Sequence, residues 1–359
     1  VECLTVNVAL VAPTRQQCGI ADYTRALRPW LGTPGTVEVI PFDADTGRVD
    51  YRALGHRVNA ADVAHVQYEH GFFLQDDDPA GNFDTFMQAV RVPTLITLHC
   101  LPLDDPRWVE HLRSSQVGCL VHSRHFETAM QTHRMVGPLV SELLPLPTRI
   151  APTLPDAAFR AAHRLDGRRV LSIFGFIKAH KGYDLALHAL GNLPDDVVLL
   201  LAGGAQDTRD AETLASLHDH ATRLGIADRV RVTGYLTEGE VGAAMQVSDL
   251  VLAPFLTTTA SASLATALAW ERPVLASALP QHLEIFERYG SLALFDHTAP
   301  ATLAPAIRAL LTDMSHRERL GDATRVMRTR CTFEALGHTC RELYATLAGQ
   351  RRHAAHRDA

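Results

Sequence analysis

Short apolar runs alternate with longer amphipathic stretches along nearly the whole chain. In the first half the runs are residues 5–12, 37–42, 63–68, 94–99 and 117–122. In the second half they are residues 170–175, 197–203, 230–234, 250–255, 274–276 and 292–295. Several are apolar at nearly every position. A strand with one solvated face would alternate, so these read as strands buried on both faces. Residues 184–193, 211–224, 238–247 and 260–270 instead carry helical periodicity. Strand–helix alternation of this kind predicts an α/β fold, with parallel sheets and helices on both faces.

At roughly 150 residues per domain, a chain of 359 residues holds two such units. Pro145, Pro147, Pro152 and Pro155 crowd into residues 143–156. Proline removes backbone donors and disfavours helix before it, so this stretch reads as a linker or hinge. The expected division is residues 1–150 and 151–335. A polar run, 161–169, leads into the first strand of the second half, and the tail 351–359 is polar throughout.

Composition narrows the function class. Hydrophobic residues are 47% and charged residues 21%, as in soluble globular proteins, which argues against disordered, collagen-like and coiled-coil chains. Apolar stretches such as 197–202 fall far short of the ~20 residues that span a bilayer, so no transmembrane segment is expected. No basic-then-apolar leader precedes the first strand, and Val1 is consistent with a processed or trimmed start. Lys plus Arg total 34 and Asp plus Glu 40, a formal charge of −6, so no global field draws nucleic acid or anionic lipid. The six cysteines (Cys3, Cys18, Cys100, Cys119, Cys331, Cys340) form no CxxC pair. They read as free thiols in a reducing cytoplasm.

In open parallel sheets, ligands bind beyond the carboxyl ends of the strands, and two such units facing each other would frame a cleft. Four segments stand there. After the first strand comes 12-APTRQQCGIADY-23, where Gly19 lets backbone approach a ligand at a helix start. It is not a GxGxxG fingerprint, so a nicotinamide dinucleotide is not supported, and an ordinary strand-to-helix turn fits equally. In 174-FGFIKAHKGYD-184, Lys178 and Lys181 sit where a strand hands over to a helix. Two ammonium groups there suit a diphosphate, although solvated lysines look the same in sequence. In 255-FLTTTASASLATALAWERPV-274, small and hydroxyl side chains open a helix. They either cap it or present amides to an anion. Tyr68-Glu69-His70-Gly71 and Thr97-Leu98-His99-Cys100 both follow first-half strands. A histidine there can bond a sugar hydroxyl or carry a proton, but with 19 histidines in the chain most are incidental. Asp43 and Asp45 imitate a metal-binding DxD in a polar loop of the wrong architecture. Asp76–Asp78 reads as a solvated loop, and no cluster has metal-ligand spacing.

With these motifs in this order, the chain resembles the family 4 retaining glycosyltransferases, of the GT-B fold (glycosyltransferase group 1). The resemblance covers nearly the whole sequence and is strongest to a branch with CGIAxY (18–23), xQYExG (66–71), TLH (97–99) and FGxIxxxKG (174–182). It implies two facing Rossmann-like domains with an interdomain cleft, and a C-terminal helix within 336–359 that crosses back to the first. It implies that Lys181 binds the donor diphosphate with Lys178 assisting, since Phe176 stands where many members have arginine. Gly19 and the amides of Ala260, Ser261, Ala262 and Ser263 would approach the phosphates. His99 would hold the transferred sugar, Gly203, Gly234 and Tyr235 would line the nucleotide side, and His99, Lys181 and Glu69 are the expected catalytic residues. Thr258 and Thr266 stand where most members carry two glutamates, the second of which grips the ribose. Glu271 replaces a usual glycine.

The implied reaction moves a sugar from a nucleotide-diphosphate sugar to an acceptor hydroxyl, with retention and without a metal or other cofactor. Acceptors would be read by loops 75–83 and 101–108. Two alternatives stay open: a sugar-nucleotide binding protein without turnover, and a GT-B sugar-nucleotide epimerase, for which only Glu69 and Glu284 offer carboxylates. Monomer and homodimer are equally compatible with the sequence.

Overall fold

The computed structural model describes residues 6–14, 18–42 and 48–355. Cys3, the start of the first expected strand, residues 15–17 of the loop after it, Asp43, Asp45 and the end of the tail lie outside the described residues.

Among the described residues, two six-stranded parallel sheets form. The first holds β1 (Val8–Ala12), β2 (Val37–Pro41), β3 (Val63–Tyr68), β4 (Thr94–Leu98), β5 (Val117–Val121) and β6 (Leu139–Ser141), in the order β2-β1-β3-β4-β5-β6. The second holds β7 (Arg169–Phe174), β8 (Val197–Ala202), β9 (Val230–Val232), β10 (Leu250–Ala253), β11 (Val274–Ser277) and β12 (Ala293–Phe295), in the order β12-β11-β10-β7-β8-β9. Strand order reverses between β1 and β3, and again between β7 and β10. Such reversals open a crevice at the strands' carboxyl ends, because successive connections leave in opposite directions.

The chain divides into two compact units. One is Val1–Pro145 with Cys331–Ala359, and the other is Leu146–Arg330. In the first unit, alternation along β1 serves two layers. Val8, Leu10 and Ala12 join Val63, Leu95 and Leu120 beneath Leu336, Leu343, Tyr344 and Leu347 of the helix Phe333–Ala355. Ala9 and Val11 join Val66, Ile96, Phe83, Phe86 and Trp108 on the opposite face. In the second unit, Leu171, Ile173, Leu199, Leu201 and Leu252 pack with Leu187, Leu190 and Ile307. Val170, Val198 and Leu200 pack with Phe159, Ala243 and Val247 on the other face. Burying each large apolar side chain contributes about 1.5–3 kcal/mol, so both faces of each sheet are core.

Two elements escape the sequence pattern. β6 is a three-residue strand at the sheet's edge, partly exposed and too short to register as an apolar run. The helix Asp156–Ala162 starts directly after Pro155, inside the end of the expected linker and the start of the polar run. It buries only Phe159, which leaves little periodicity to read. Conversely, the apolar runs outlast their strands. His99, His122, Gly175, Gly203, Gly234 and Phe255 fall just past strand ends, in the loops. None of the five described cysteines is in a disulfide. Among the described residues no helix is long and apolar enough to cross a membrane.

Candidate functional site

In the second unit, the site is built at the carboxyl ends of β7 and β10, beside the reversal of strand order. After β7 the chain turns at Gly175, whose φ of +97° favours glycine. A Cβ there would lie 2.7 Å from Lys181 Nζ and 3.1 Å from Ser263 Cβ. Three segments therefore converge: the end of β7, the turn Ala179–Lys181, and the start of the helix Ala262–Ala269 that follows β10. At Gly182, with φ +67°, a Cβ would come within 1.9 Å of the Pro254 carbonyl oxygen. Glycine is what lets the lysine turn lie on the end of β10. Leu256 N–H completes that contact by donating to His180 O at 2.8 Å.

Lys181 is only 6% exposed, and its ammonium donates to Phe174 O at 2.7 Å. Burial lowers its pKa to about 7, and the charge of Lys178 adds to the effect. Ser261 caps the helix Ala262–Ala269, its hydroxyl accepting from Leu264 N–H at 3.1 Å. It also lies 3.0 Å from the Ser263 hydroxyl. The first turn of such a helix carries amides without intrahelical acceptors and the positive end of the helix dipole. Thr258 and Ala260 are partly buried in the loop before it. Thr266 turns its hydroxyl back onto its own helix, donating to Ala262 O at 2.9 Å.

The loops after β8 and β9 close in from the other side. A Cβ on Gly203 would stand 2.2 Å from Gly175 O, and one on Gly204 would stand 2.8 Å from Tyr235 N. Gly234 has φ +77°. Tyr235 is exposed, its ring stacked on Phe176 with centroids 6.1 Å apart. Lys178 departs from the paired-lysine expectation. Its ammonium lies 2.8 Å from the buried Asp210 carboxylate and 3.5 Å from Asp207. Those acids open the helix Thr208–Arg223, so the second ammonium is paired with carboxylates, and the Asp210 charge also reaches Lys181, opposing the effect of its burial.

In the first unit, Gly19 begins the helix Gly19–Leu27 after β1, and Cys18 provides no side-chain cap. Glu69 follows β3 and His99 follows β4, on neighbouring strands. Burial raises the Glu69 carboxyl pKa, against the lowering effect of bonds from the Cys100 thiol and the His70 and Gly71 amides. His99 N–H donates to Tyr68 O at 3.0 Å. Its ring packs perpendicular to Tyr23, with centroids 5.2 Å apart. Burial, with His122 and His65 nearby, holds its pKa down at about 3. It therefore acts near neutrality as a neutral hydrogen-bonding ring rather than a cation. His65, Gln67, Thr97 and His122, all buried, surround this region. Gln67 and Thr97 fall inside the motifs 66–71 and 97–99, whereas no role is expected of His65 and His122 from sequence. The signal for His65 is its place two residues before Gln67, polar residues at alternate positions of the otherwise apolar run 63–68. Among the described residues, no group of three His, Cys, Asp or Glu side chains has the arrangement to hold a metal ion.

Residues 156–327 match the model of the family described as glycosyl transferases group 1. That segment contains Lys181, Gly203, Tyr235 and Ser263. Residues 156–327 belong to the glycosyl transferases group 1 family. The group 1 region also overlaps a curated relative, a D-inositol 3-phosphate glycosyltransferase from Xylanimonas cellulosilytica. It is 27% identical over 212 residues, covering 57% of this chain and 50% of that one. The match thus spans half the length of that relative. Among solved structures, a sucrose-phosphate synthase from Thermosynechococcus elongatus superposes with a TM-score of 0.77 at 17% identity, over 96% of this chain and 100% of that one. HepE from Anabaena, solved with UDP and glucose, superposes with a TM-score of 0.72 at 15% identity, over 96% and 100%. At these identities the likeness is one of fold, and the fold class is GT-B.

Proposed function

We propose that the chain is a retaining, metal-independent glycosyltransferase that moves a sugar from a nucleoside diphosphate sugar to a hydroxyl of a small molecule or growing glycan. The observation that carries this reading is Lys181, buried beside Gly175 and Ser263 at the point where strand order reverses. A leaving diphosphate develops negative charge, and catalysis of its departure rests on fixed positive groups aimed at it. A lysine whose charge burial has weakened regains it beside a diphosphate, and the helix Ala262–Ala269 adds its dipole. This set supplies charge stabilisation from the protein alone. HepE, solved with UDP and glucose, supports a nucleotide-sugar donor, and the inositol phosphate glycosyltransferase relative supports glycosyl transfer. Retention follows from the family resemblance. His99 contacts the sugar as a neutral ring, with Glu69 one strand away. The compartment proposed is the cytoplasm, as the scattered cysteines of the sequence imply.

The test is a thermal-shift panel of UDP-, GDP-, ADP- and TDP-glucose, followed by mass spectrometry of released nucleoside diphosphate with and without EDTA. One donor class is expected to raise Tm by mass action and to release its diphosphate in both conditions. Lys181→Ala is expected to weaken donor binding at least about tenfold, the scale of one lost charge-assisted bond. Unchanged affinity in that variant overturns the diphosphate assignment. Donor binding without any release favours instead a binding protein, the reading suggested by Thr258 and Thr266 and by the inward-turned Thr266 hydroxyl.

A further inference from the structure

One face of the first sheet changes character along its strands. At the amino end it is apolar, with Val63 and Leu95 under the helix Phe333–Ala355. Two to four residues further on, the same face carries His65, Gln67 and Thr97, each at most 1% exposed. Gln67 and Thr97 are register partners across β3 and β4. Apolar side chains would fill these positions without needing partners, so a polar stripe there must be fully bonded to be tolerated. It is bonded as a chain. Tyr344 of the helix Phe333–Ala355 lies with its hydroxyl 2.6 Å from His65 Nδ1. His65 Nε2 lies 2.7 Å from the Thr97 hydroxyl and 3.2 Å from Gln67 Nε2. Gln67 Oε1 lies 2.9 Å from His99 Nε2. The chain runs from a helix 279 residues away in sequence to a candidate site residue.

We propose that Gln67 is a positioning residue: its amide, oriented by His65 and Tyr344, places the proton of His99 on Nε2 and leaves Nδ1 as a bare acceptor for a hydroxyl of the transferred sugar. This rests on the reading of His99 as the sugar contact. A terminal amide donates only from nitrogen and accepts only at oxygen, whereas a neutral imidazole donates from one nitrogen and accepts at the other. With the Gln67 oxygen toward His99, Nε2 must carry the proton. With the Gln67 nitrogen toward His65, His65 Nε2 must accept, so His65 carries its proton on Nδ1 and donates it to the Tyr344 oxygen. Turning the amide round would move both ring protons to the opposite nitrogens. The two histidines are therefore coupled through one side chain. The Tyr23 ring, perpendicular to His99 and itself bonded through its hydroxyl to His122 Nε2 at 3.1 Å, keeps the His99 ring from rotating.

The experiment uses full-length protein with ¹⁵N-labelled histidine. Long-range ¹H–¹⁵N spectra of the free protein read which ring nitrogen of His99 is protonated. The wild type is expected to show Nε2–H. Gln67→Met removes the acceptor and is expected to abolish that preference. Gln67→Glu, which still accepts, is expected to keep it. For UDP-glucose hydrolysis, Gln67→Met is expected to lower kcat at least about tenfold. Affinity for UDP, which lacks the sugar, should stay within about twofold, and Gln67→Glu should recover part of the rate. A proton on Nδ1 in the wild type overturns the proposal, as does an unchanged Nε2–H in Gln67→Met. If Gln67→Met does not fold, the wild-type and Gln67→Glu spectra still decide. His99→Ala separates the two readings: full hydrolysis there removes His99 as the sugar contact, while the tautomer measurement judges Gln67 by itself.

Discussion

At the scale of single residues, Lys181 shows how burial converts a common side chain into a responsive one. Its pKa sits near 7, while in the unfolded chain it returns to about 10.4. Between those values the unfolded state binds the extra proton, so this lysine makes the folded state relatively more stable as pH rises from 7 toward 10. Below 7 the cost of holding a buried charge is fully present. A bound diphosphate reverses the balance by restoring the charge. Binding of UDP at pH 8 is therefore expected to take up roughly one proton. Calorimetry in buffers of different ionisation enthalpy measures this, and Lys181→Met should abolish it; no uptake in the wild type removes Lys181 from the diphosphate. The lysine itself was legible in sequence, as a cation before a glycine just after a strand. Its burial was not, because Gly175 and Ser263 approach it only through folding. Nor was the partnering of Lys178, whose carboxylates Asp207 and Asp210 lie beyond the next strand.

At the scale of elements, Glu271 ties together pieces that sequence leaves separate. It stands before β11 with φ +56°, a left-handed conformation costly for a side-chain residue. Its carboxylate lies 3.6 Å from Arg149 and 3.5 Å from Arg325, and also pairs with Arg328. Arg149 comes from the proline-rich segment, and the other two from the helix Met314–Arg330. Burial pushes the Glu271 carboxyl up, but the arginines outweigh it and the net pKa lies below the ordinary carboxylate value. The resulting stability is present above the unfolded pKa and is lost as pH falls through the folded one. Glu271→Gln is expected to cost about 1–2 kcal/mol at pH 7, since the arginines are partly exposed to solvent. Its Tm deficit should close as pH falls below about 4. A deficit that persists unchanged at pH 3 would show that the charge is not what holds these pieces. The elements themselves were readable because doubly buried strands are apolar at every position. β6 and the helix Asp156–Ala162 were not, because short edge elements bury too few side chains to leave a period.

At the scale of the whole molecule, the chain returns to its first unit after completing its second. Leu336, Leu343, Tyr344 and Leu347 cover a sheet face built more than 200 residues earlier, and Tyr344 is a partner of the buried His65. Residues 1–145 alone should therefore expose that face and aggregate, whereas residues 146–330, whose sheet is covered on both faces by their own helices, should stay soluble and melt cooperatively. Size-exclusion chromatography and circular dichroism of the two fragments test this; a soluble, folded 1–145 would show that the returning helix is dispensable. The amino-acid sequence by itself determined the α/β alternation, the parallel sheets and the loops that could carry chemistry. Those depend on periodicity and on glycine, proline and cap residues, which act over a few positions. Tertiary structure alone decided which lysine is buried, which is paired with acids, and which side chain faces His99. Those are properties of contacts between strands and helices far apart in the chain, and burial and charge pairing arise only when such segments meet.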